Sequence, residues 1–269
     1  MKRKLYVTTS IPYVNAVPHV GFALELVQAD AVARFGRLCG REVRFQTGTD
    51  ENAIKNVLAA AELGLTTQQL VDRNSARYRE LLTALNISAD GFIRTTDDRH
   101  RRGVHALWRS LRDGDVYGKA YRGLYCTGCE DFYLARDLAR GACPEHGTEP
   151  VEVAEENYFF RLSAYQGRIE ELLETGRLRV VPETRRNEVL SFVRRGLADI
   201  SISRPASRTG GWGLPVPDDP TQVIYVWIDA LINYVSGLGF GDGDDWRAWW
   251  GEGAEKVHVI GKNVWKFHA

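Results

Sequence analysis

Two pairs of soft donors stand in the middle of the sequence, in "GLYCTGCEDFYLARDLARGACPEHG". Cys126 and Cys129 form a Cys-x-x-Cys, and Cys143 and His146 follow as a Cys-x-x-His. Each pair sits in a turn-rich segment and can chelate. Together they supply the four soft or borderline ligands that a tetrahedral Zn²⁺ prefers. Disulfides or idle thiols are the competing reading, and a histidine in the fourth place speaks against disulfides, as does the intracellular setting argued below. Four protein ligands leave no position for water, so the expected Zn²⁺ is structural. Cys39 stands apart near a helix end and is expected to be a buried small hydrophobe.

A second stretch is "SIPYVNAVPHVGF", residues 10 to 22. It follows "KLYVTT", which alternates as a strand, and precedes "ALELVQADAVARFGRLCG", whose apolar spacing is helical. The segment is therefore a strand-to-helix turn. A helix N-terminus offers free backbone N–H groups and a partial positive charge to a phosphate, and His19 stands beside it. The alternative is a proline-stiffened loop with a solvated His19.

Composition bounds the setting. With 269 residues the chain can bury a large core, and its 35 basic and 35 acidic side chains balance to zero. That balance argues against a protein held to nucleic acid mainly by its overall field, and leaves local contacts open. Thr8, Thr9, Ser10 and Pro12 interrupt any signal-peptide core at the start. The longest apolar stretch, "VIYVWIDALINYV", carries Asp229 and Asn233 and is too short to span a bilayer. A soluble cytoplasmic protein with no membrane partner is the expectation.

The elements that must position these residues alternate at first. Strands are expected at 4–9, 42–50 and 91–96, with helices at 20–39, 52–64, 66–86 and 97–114, the last ending at Gly114. Such alternation means βαβ crossovers and a parallel sheet, with ligands beyond the carboxyl ends of its strands. Residues 10–19 and 48–51 should therefore share one edge. The pattern changes near residue 115, where turns and aromatics take over. Helix returns at 164–176, helix, turn and strand at 187–205, and a strand running into an apolar helix at 221–239. "VHVI" reads as a buried strand. Trp265 and Phe267 lie on the first turns of a further helix, so the sequence reads as part of a longer protein.

The ordered set "PYVNAVPHVGFA", "TGTDENA", "FIRTT", "GLYCTGC", "CPEHG", "ENYFFRL", "RNEVL", "DISISRP", "YVWIDALINYVS" and "HVIGKNVWKFHA" resembles the catalytic domain of the methionyl-tRNA synthetase family, over essentially the whole chain. The resemblance implies an α/β fold: a class I synthetase Rossmann-like parallel sheet, split by a connective-peptide insertion carrying the zinc knuckle. The corresponding division is 1–115 for the nucleotide-binding catalytic half, 116–220 for the insertion and 221–269 for an incomplete second half. It implies an enzyme that activates methionine or an analogue with ATP, as its Mg²⁺ complex, forming an aminoacyl adenylate for transfer to tRNA. His19 and Gly21 match the first positions of the His-x-Gly-His signature, and Phe22 stands in the second histidine place. A phenyl ring cannot donate to a phosphate oxygen, a loss on the order of 3 kcal/mol in the transition state if nothing replaces it.

By the same resemblance, Ile11, Tyr13, Trp227, Ala230, Leu231, Tyr234, Val264 and His268 match the methionine pocket, and Asp50 matches the carboxylate that holds the substrate ammonium. An aromatic and aliphatic cage suits a polarizable thioether. Asn52 stands where the family has the histidine of Asp-Glu-His-Gly, beside the nucleotide contacts. The family's Lys-Met-Ser-Lys-Ser loop and helical anticodon domain match nothing in residues 1–269, so tRNA recognition is expected to need further parts. Two other readings remain: transfer of the activated amino acid to a small-molecule acceptor, and a non-catalytic amino-acid-binding module.

Overall fold

The computed structural model describes residues 3–126, 128, 131–133, 135 and 138–268. Its first half is the expected alternation. β1 (Lys4–Thr9) leads through a loop into α1 (Val20–Leu38), and β2 (Glu42–Thr49) follows. After β2 come α2 (Ile54–Glu62), α3 (Thr67–Ala84), β3 (Gly91–Arg94) and α4 (Asp98–Ser110). Thr66 starts α3 with a capping box: its hydroxyl accepts the Gln69 N–H and the Gln69 side chain returns to the Thr66 N–H. α4 stops short of Gly114 because Leu111 already has an extended backbone, with ψ at 140°.

The chain then turns antiparallel. β4 (Val116–Cys126) pairs with β5 (Asp131–Tyr133) and with β6 (Val151–Phe160). Two helices, α5 (Gln166–Glu174) and α6 (Glu183–Arg194), precede β7 (Ile200–Ser201), which joins the edge of β6. A small antiparallel sheet of β8 (Ser203–Pro205), β9 (Pro215–Val216) and β10 (Asp219–Ile224) returns the chain to the first sheet. There follow α7 (Val226–Leu231), α8 (Asn233–Ser236), α9 (Arg247–Trp250), β11 (Ala254–Val259) and α10 (Trp265–His268).

β11, β1, β2 and β3 form one parallel sheet in that order. The order reverses between β1 and β11, so the crevice beyond their carboxyl ends is the natural ligand position of such a sheet. Leu5, Val7, Ala29, Ala33 and Phe45 bury one face beneath α1. Gly48 is required where β2 meets β3, because a Cβ there would lie 2.0 Å from the Ile93 carbonyl oxygen. No helix among the described residues is long and apolar enough to cross a membrane.

Two sequence expectations fail. Cys39 is exposed, since it is the C-cap of α1 and follows Leu38 on the solvent side of the helix. "VHVI" is only half-buried, because β11 is an edge strand of this sheet and packs its interior on one neighbour, β1.

Candidate functional site

A cavity of about 220 Å³ opens at the order reversal. Four segments build it. The β1–α1 loop supplies Ser10, Ile11, Pro12 and Tyr13, and the turn after β2 supplies Asp50. α7 and α8 bring Trp227, Ala230, Leu231, Asn233 and Tyr234, while Val264 and His268 come from the segment after β11. All nine residues matched to the methionine pocket thus line one space, and residues 10–13 and Asp50 share an edge as expected. Ser10 and Pro12 were expected only at this edge of the sheet, within residues 10–19, and Asn233 was not assigned to the site from the sequence. Its only signal was adjacency to a residue that was.

Local bonding holds each wall. The Asp50 N–H donates to Pro12 O at 2.8 Å and pairs this turn with Tyr13 as a parallel bridge. Asp50 itself is 3 % exposed. Beside it, Glu51 is fully buried and accepts two hydrogen bonds from the Arg94 guanidinium, at 2.7 and 2.9 Å. The Trp212 indole N–H donates to Glu51 O at 2.8 Å. Glu25 ties the other wall together: it accepts the Ser10 N–H and hydroxyl, both at 2.6 Å, and the Gly261 N–H. Burial pushes the Glu25 carboxyl above its ordinary range against the pull of those donors.

The apolar side is aromatic. Tyr13 meets Trp227 edge-on at 6.2 Å, and Phe267 stacks on Trp227 at 3.9 Å with planes 8° apart. Tyr6 anchors α8 by donating its hydroxyl to Tyr234 O at 2.9 Å. His268 Nδ1 donates to Val264 O at 2.9 Å, since a carbonyl only accepts. His268 Nε2 therefore accepts the Tyr234 hydroxyl at 2.7 Å, which fixes both rings. Burial lowers the His268 pKa, opposed by the Val264 carbonyl, and lowers that of His258 to about 4, helped by His268 and Lys256.

These two imidazoles give an acid sensitivity with a definite sign. The unfolded chain binds protons near pH 6.5, whereas folded His258 does so only near pH 4. Stability is then fully present above pH 6.5 and is lost as pH falls toward 4, by up to about 3 kcal/mol from His258. Urea midpoints at pH 7.5 and 4.5 should therefore diverge less in His258→Gln than in the parent. An identical divergence would show that His258 carries no such load.

His19 lies at the N-terminus of α1, exposed and outside the lining of the cavity. Its Nδ1 accepts the Gly21 N–H at 3.0 Å and the Phe22 N–H at 3.4 Å, so the imidazole caps the helix. Gly21 permits this, because a Cβ at that position would lie 2.9 Å from the His19 ring. With Nδ1 accepting, Nε2 carries the ring proton. Phe22 turns the other way, into a cluster with Val14, Leu26, Val71 and Tyr78. Asn52, matched to a place beside nucleotide contacts, is instead 8 % exposed and hydrogen-bonded inward to Asp229 and Thr95.

The metal-ligand candidates meet outside the lining of this cavity, at the end of β4. One donor atom each from Cys126, Cys143 and His146 lie within 4.8 Å of one another. The two sulfurs are buried and the imidazole is exposed. A tight turn shapes the second pair: the Gly147 N–H donates to Cys143 O at 2.8 Å, with Gly147 at a φ of +66°. Gly128 leaves room for the imidazole, since a Cβ there would lie 2.6 Å from His146 Cγ. Three soft donors converging on one point fit Zn²⁺. Cys129, the fourth candidate, lies outside the described residues.

Comparison with known proteins agrees with the parallel-sheet α/β fold. The family model for tRNA synthetases class I (M) matches residues 5–153 and 146–269. Methionine–tRNA ligase of Brucella suis is 44% identical over 273 residues, covering 100% of this chain and 52% of the relative. The enzyme of Mycobacterium tuberculosis is 46% identical over 271 residues, covering 98% of this chain and 51% of that one. The chain thus spans about half the length of the curated relatives it matches. Among solved structures, M. tuberculosis methionyl-tRNA synthetase in complex with methionyl-adenylate superposes with a TM-score of 0.91 at 45% identity, over 100% of this chain and 53% of that one. Its apo form gives 0.82 at 42% identity, over 100% of this chain and 52% of that one. By the family model and by relatives of this similarity, the chain belongs to the class I tRNA synthetases of the M family.

Proposed function

We propose that this chain is the amino-acid-activating part of a methionyl-tRNA synthetase, joining methionine or a close analogue to ATP as the aminoacyl adenylate that is then passed to tRNA. The observation that carries the reading is the convergence of nine residues, drawn from separated segments, on one cavity at the order reversal of the sheet. Asp50 would pair with the substrate ammonium. Trp227, Tyr13, Leu231 and Val264 would enclose the thioether, and the Tyr234–His268 pair would close the far wall. The amino-acid carboxylate then attacks the α-phosphate of ATP, a new O–P bond forms and pyrophosphate leaves with the broken bond's electron pair. ATP enters as its Mg²⁺ complex, which supplies charge neutralisation on the leaving phosphates. His19 Nε2–H, held at the α1 N-terminus, is the chain's own donor toward the phosphate.

The remaining assignments follow from the same reading. Residues 1–115 form the nucleotide-binding half, 116–220 the connective-peptide insertion and 221–269 the opening of the second half. Cys126, Cys129, Cys143 and His146 would hold one structural Zn²⁺ with no open coordination position. The enzyme would work in the cytoplasm. Methionine titrated against intrinsic tryptophan fluorescence should give a saturable change through Trp227. Well-folded protein that binds no amino acid would overturn the assignment.

The metal carries its own expected result. Protein purified without chelator should contain one zinc per chain, and Cys143→Ser should lose it while methionine still binds. Stoichiometric folding with no zinc in elemental analysis would remove the knuckle from the account.

A further inference from the structure

Beneath the cavity, and outside its lining, runs a chain of buried polar groups. Asp229 is fully buried, and both of its oxygens are engaged. Oδ1 accepts His100 Nε2–H at 2.7 Å, and Oδ2 accepts Asn52 Nδ2–H at 2.7 Å. The other ring nitrogen of His100 meets Ser236 Oγ at 2.8 Å, and Asn52 also donates to Thr95 O at 3.2 Å. His100 and Ser236 are each 0 % exposed. Five elements are joined this way: the turns after β2 and after β3, α4, α7 and α8.

The placement of the chain matters more than its stability. Asn52 lies two residues beyond Asp50, on the same turn. Asp229 lies on α7 between Trp227 and Ala230, which face the cavity. A second tie runs parallel to the first, with Gln46 Nε2 donating to Asn233 O at 2.9 Å. Gly103 lets α4 approach this closely, because a Cβ there would lie 2.6 Å from Ser236 Cβ. The distance between the ammonium-binding carboxylate and the aromatic wall is therefore spanned by one short hydrogen-bonded path, Asp50 turn to Asn52 to Asp229 to α7.

We propose that Asn52, Asp229 and His100 are positioning residues: a buried strut that sets the spacing between Asp50 and the Trp227 wall, and so the fit of the amino acid. The proposal rests on the functional reading above. It also gives Asn52 a role: an amide at this position supplies the two donors that Asp229 and Thr95 accept, and it does so facing away from solvent.

Asp229→Asn tests it in the full-length protein by methionine-dependent ATP–pyrophosphate exchange. The substitution keeps shape but sets an amide against the Asn52 amide. The KM for methionine should rise about tenfold while that for ATP stays within about twofold, since only the amino-acid walls are re-spaced. The exchanged pair, Asn52→Asp combined with Asp229→Asn, should recover part of the loss and not all of it, because a carboxylate on the turn after β2 cannot donate to Thr95 O. The amide then on α7 accepts from His100 through its oxygen and donates its N–H to the carboxylate then on the turn after β2. If Asp229→Asn does not fold, Asn52→Ala, which leaves the His100–Asp229 bond in place, should raise the methionine KM about threefold. An unchanged methionine KM in a folded variant, or a loss confined to kcat as a smaller folded fraction would give, overturns the strut alone. A parent protein without amino-acid-dependent exchange overturns the functional reading and the strut's role with it.

Discussion

Asp50→Asn is expected to weaken methionine binding about a hundredfold, with little change in stability. Asp50 is the only acidic side chain lining the cavity among the described residues, and it is 3 % exposed. An ammonium leaving water for such a site needs a full counter-charge, and removing one partner of a desolvated charge pair costs about 2–5 kcal/mol. At about 1.4 kcal/mol per decade, about 3 kcal/mol within that range is roughly two orders of magnitude in affinity. Asparagine keeps the volume, and the backbone bond from residue 50 to Pro12 O does not depend on the side chain. Calorimetry with methionine on both proteins reads the effect. Equal affinities would mean that the ammonium is held elsewhere.

Phe22→His is expected to cost about 2–4 kcal/mol of stability and not to raise the rate of adenylate formation. The resemblance to the family places a phosphate donor at this position. In this chain the side chain is 4 % exposed, its ring centroid 5.4 Å from that of Tyr78, inside a cluster with Val14, Leu26 and Val71. Burial in the same region pushes the Tyr78 hydroxyl pKa up to about 12, which shows how poorly this surrounding supports charge. An imidazole here would trade apolar contact for an unpaired polar edge. Thermal unfolding and pyrophosphate exchange measured on the same preparation decide the matter. A variant as stable as the parent and faster in exchange would contradict this placement of Phe22.

What could be read from the sequence was local. β1 and α1 follow from alternation and helical spacing. The parallel sheet followed from the lengths of the segments between strands. The cavity's residues were legible through family resemblance, because Tyr13, Asp50 and Trp227 are separated along the chain and nothing in their spacing brings them together. The β4–β6 ladder was not legible: Gly118, Gly123 and Lys119 mask the alternation of β4, and its partner lies beyond the Cys and His turns. The strut was the least legible feature, since Asn52 and Asp229 are 177 positions apart and His100 and Asp229 are 129 apart. Exposure of Cys39 and of the edge strand β11 depends on what packs beside them, which periodicity does not encode.

The proposed role of the cavity at the β1–β11 reversal is to select methionine for activation by ATP. ATP–pyrophosphate exchange with the full-length protein across the twenty standard amino acids tests it most directly. Exchange should be stimulated by methionine above every other member of the panel, and Asp50→Asn should abolish that stimulation at the same methionine concentration. Stronger stimulation by another amino acid, or methionine-dependent exchange that survives Asp50→Asn unchanged, would contradict it.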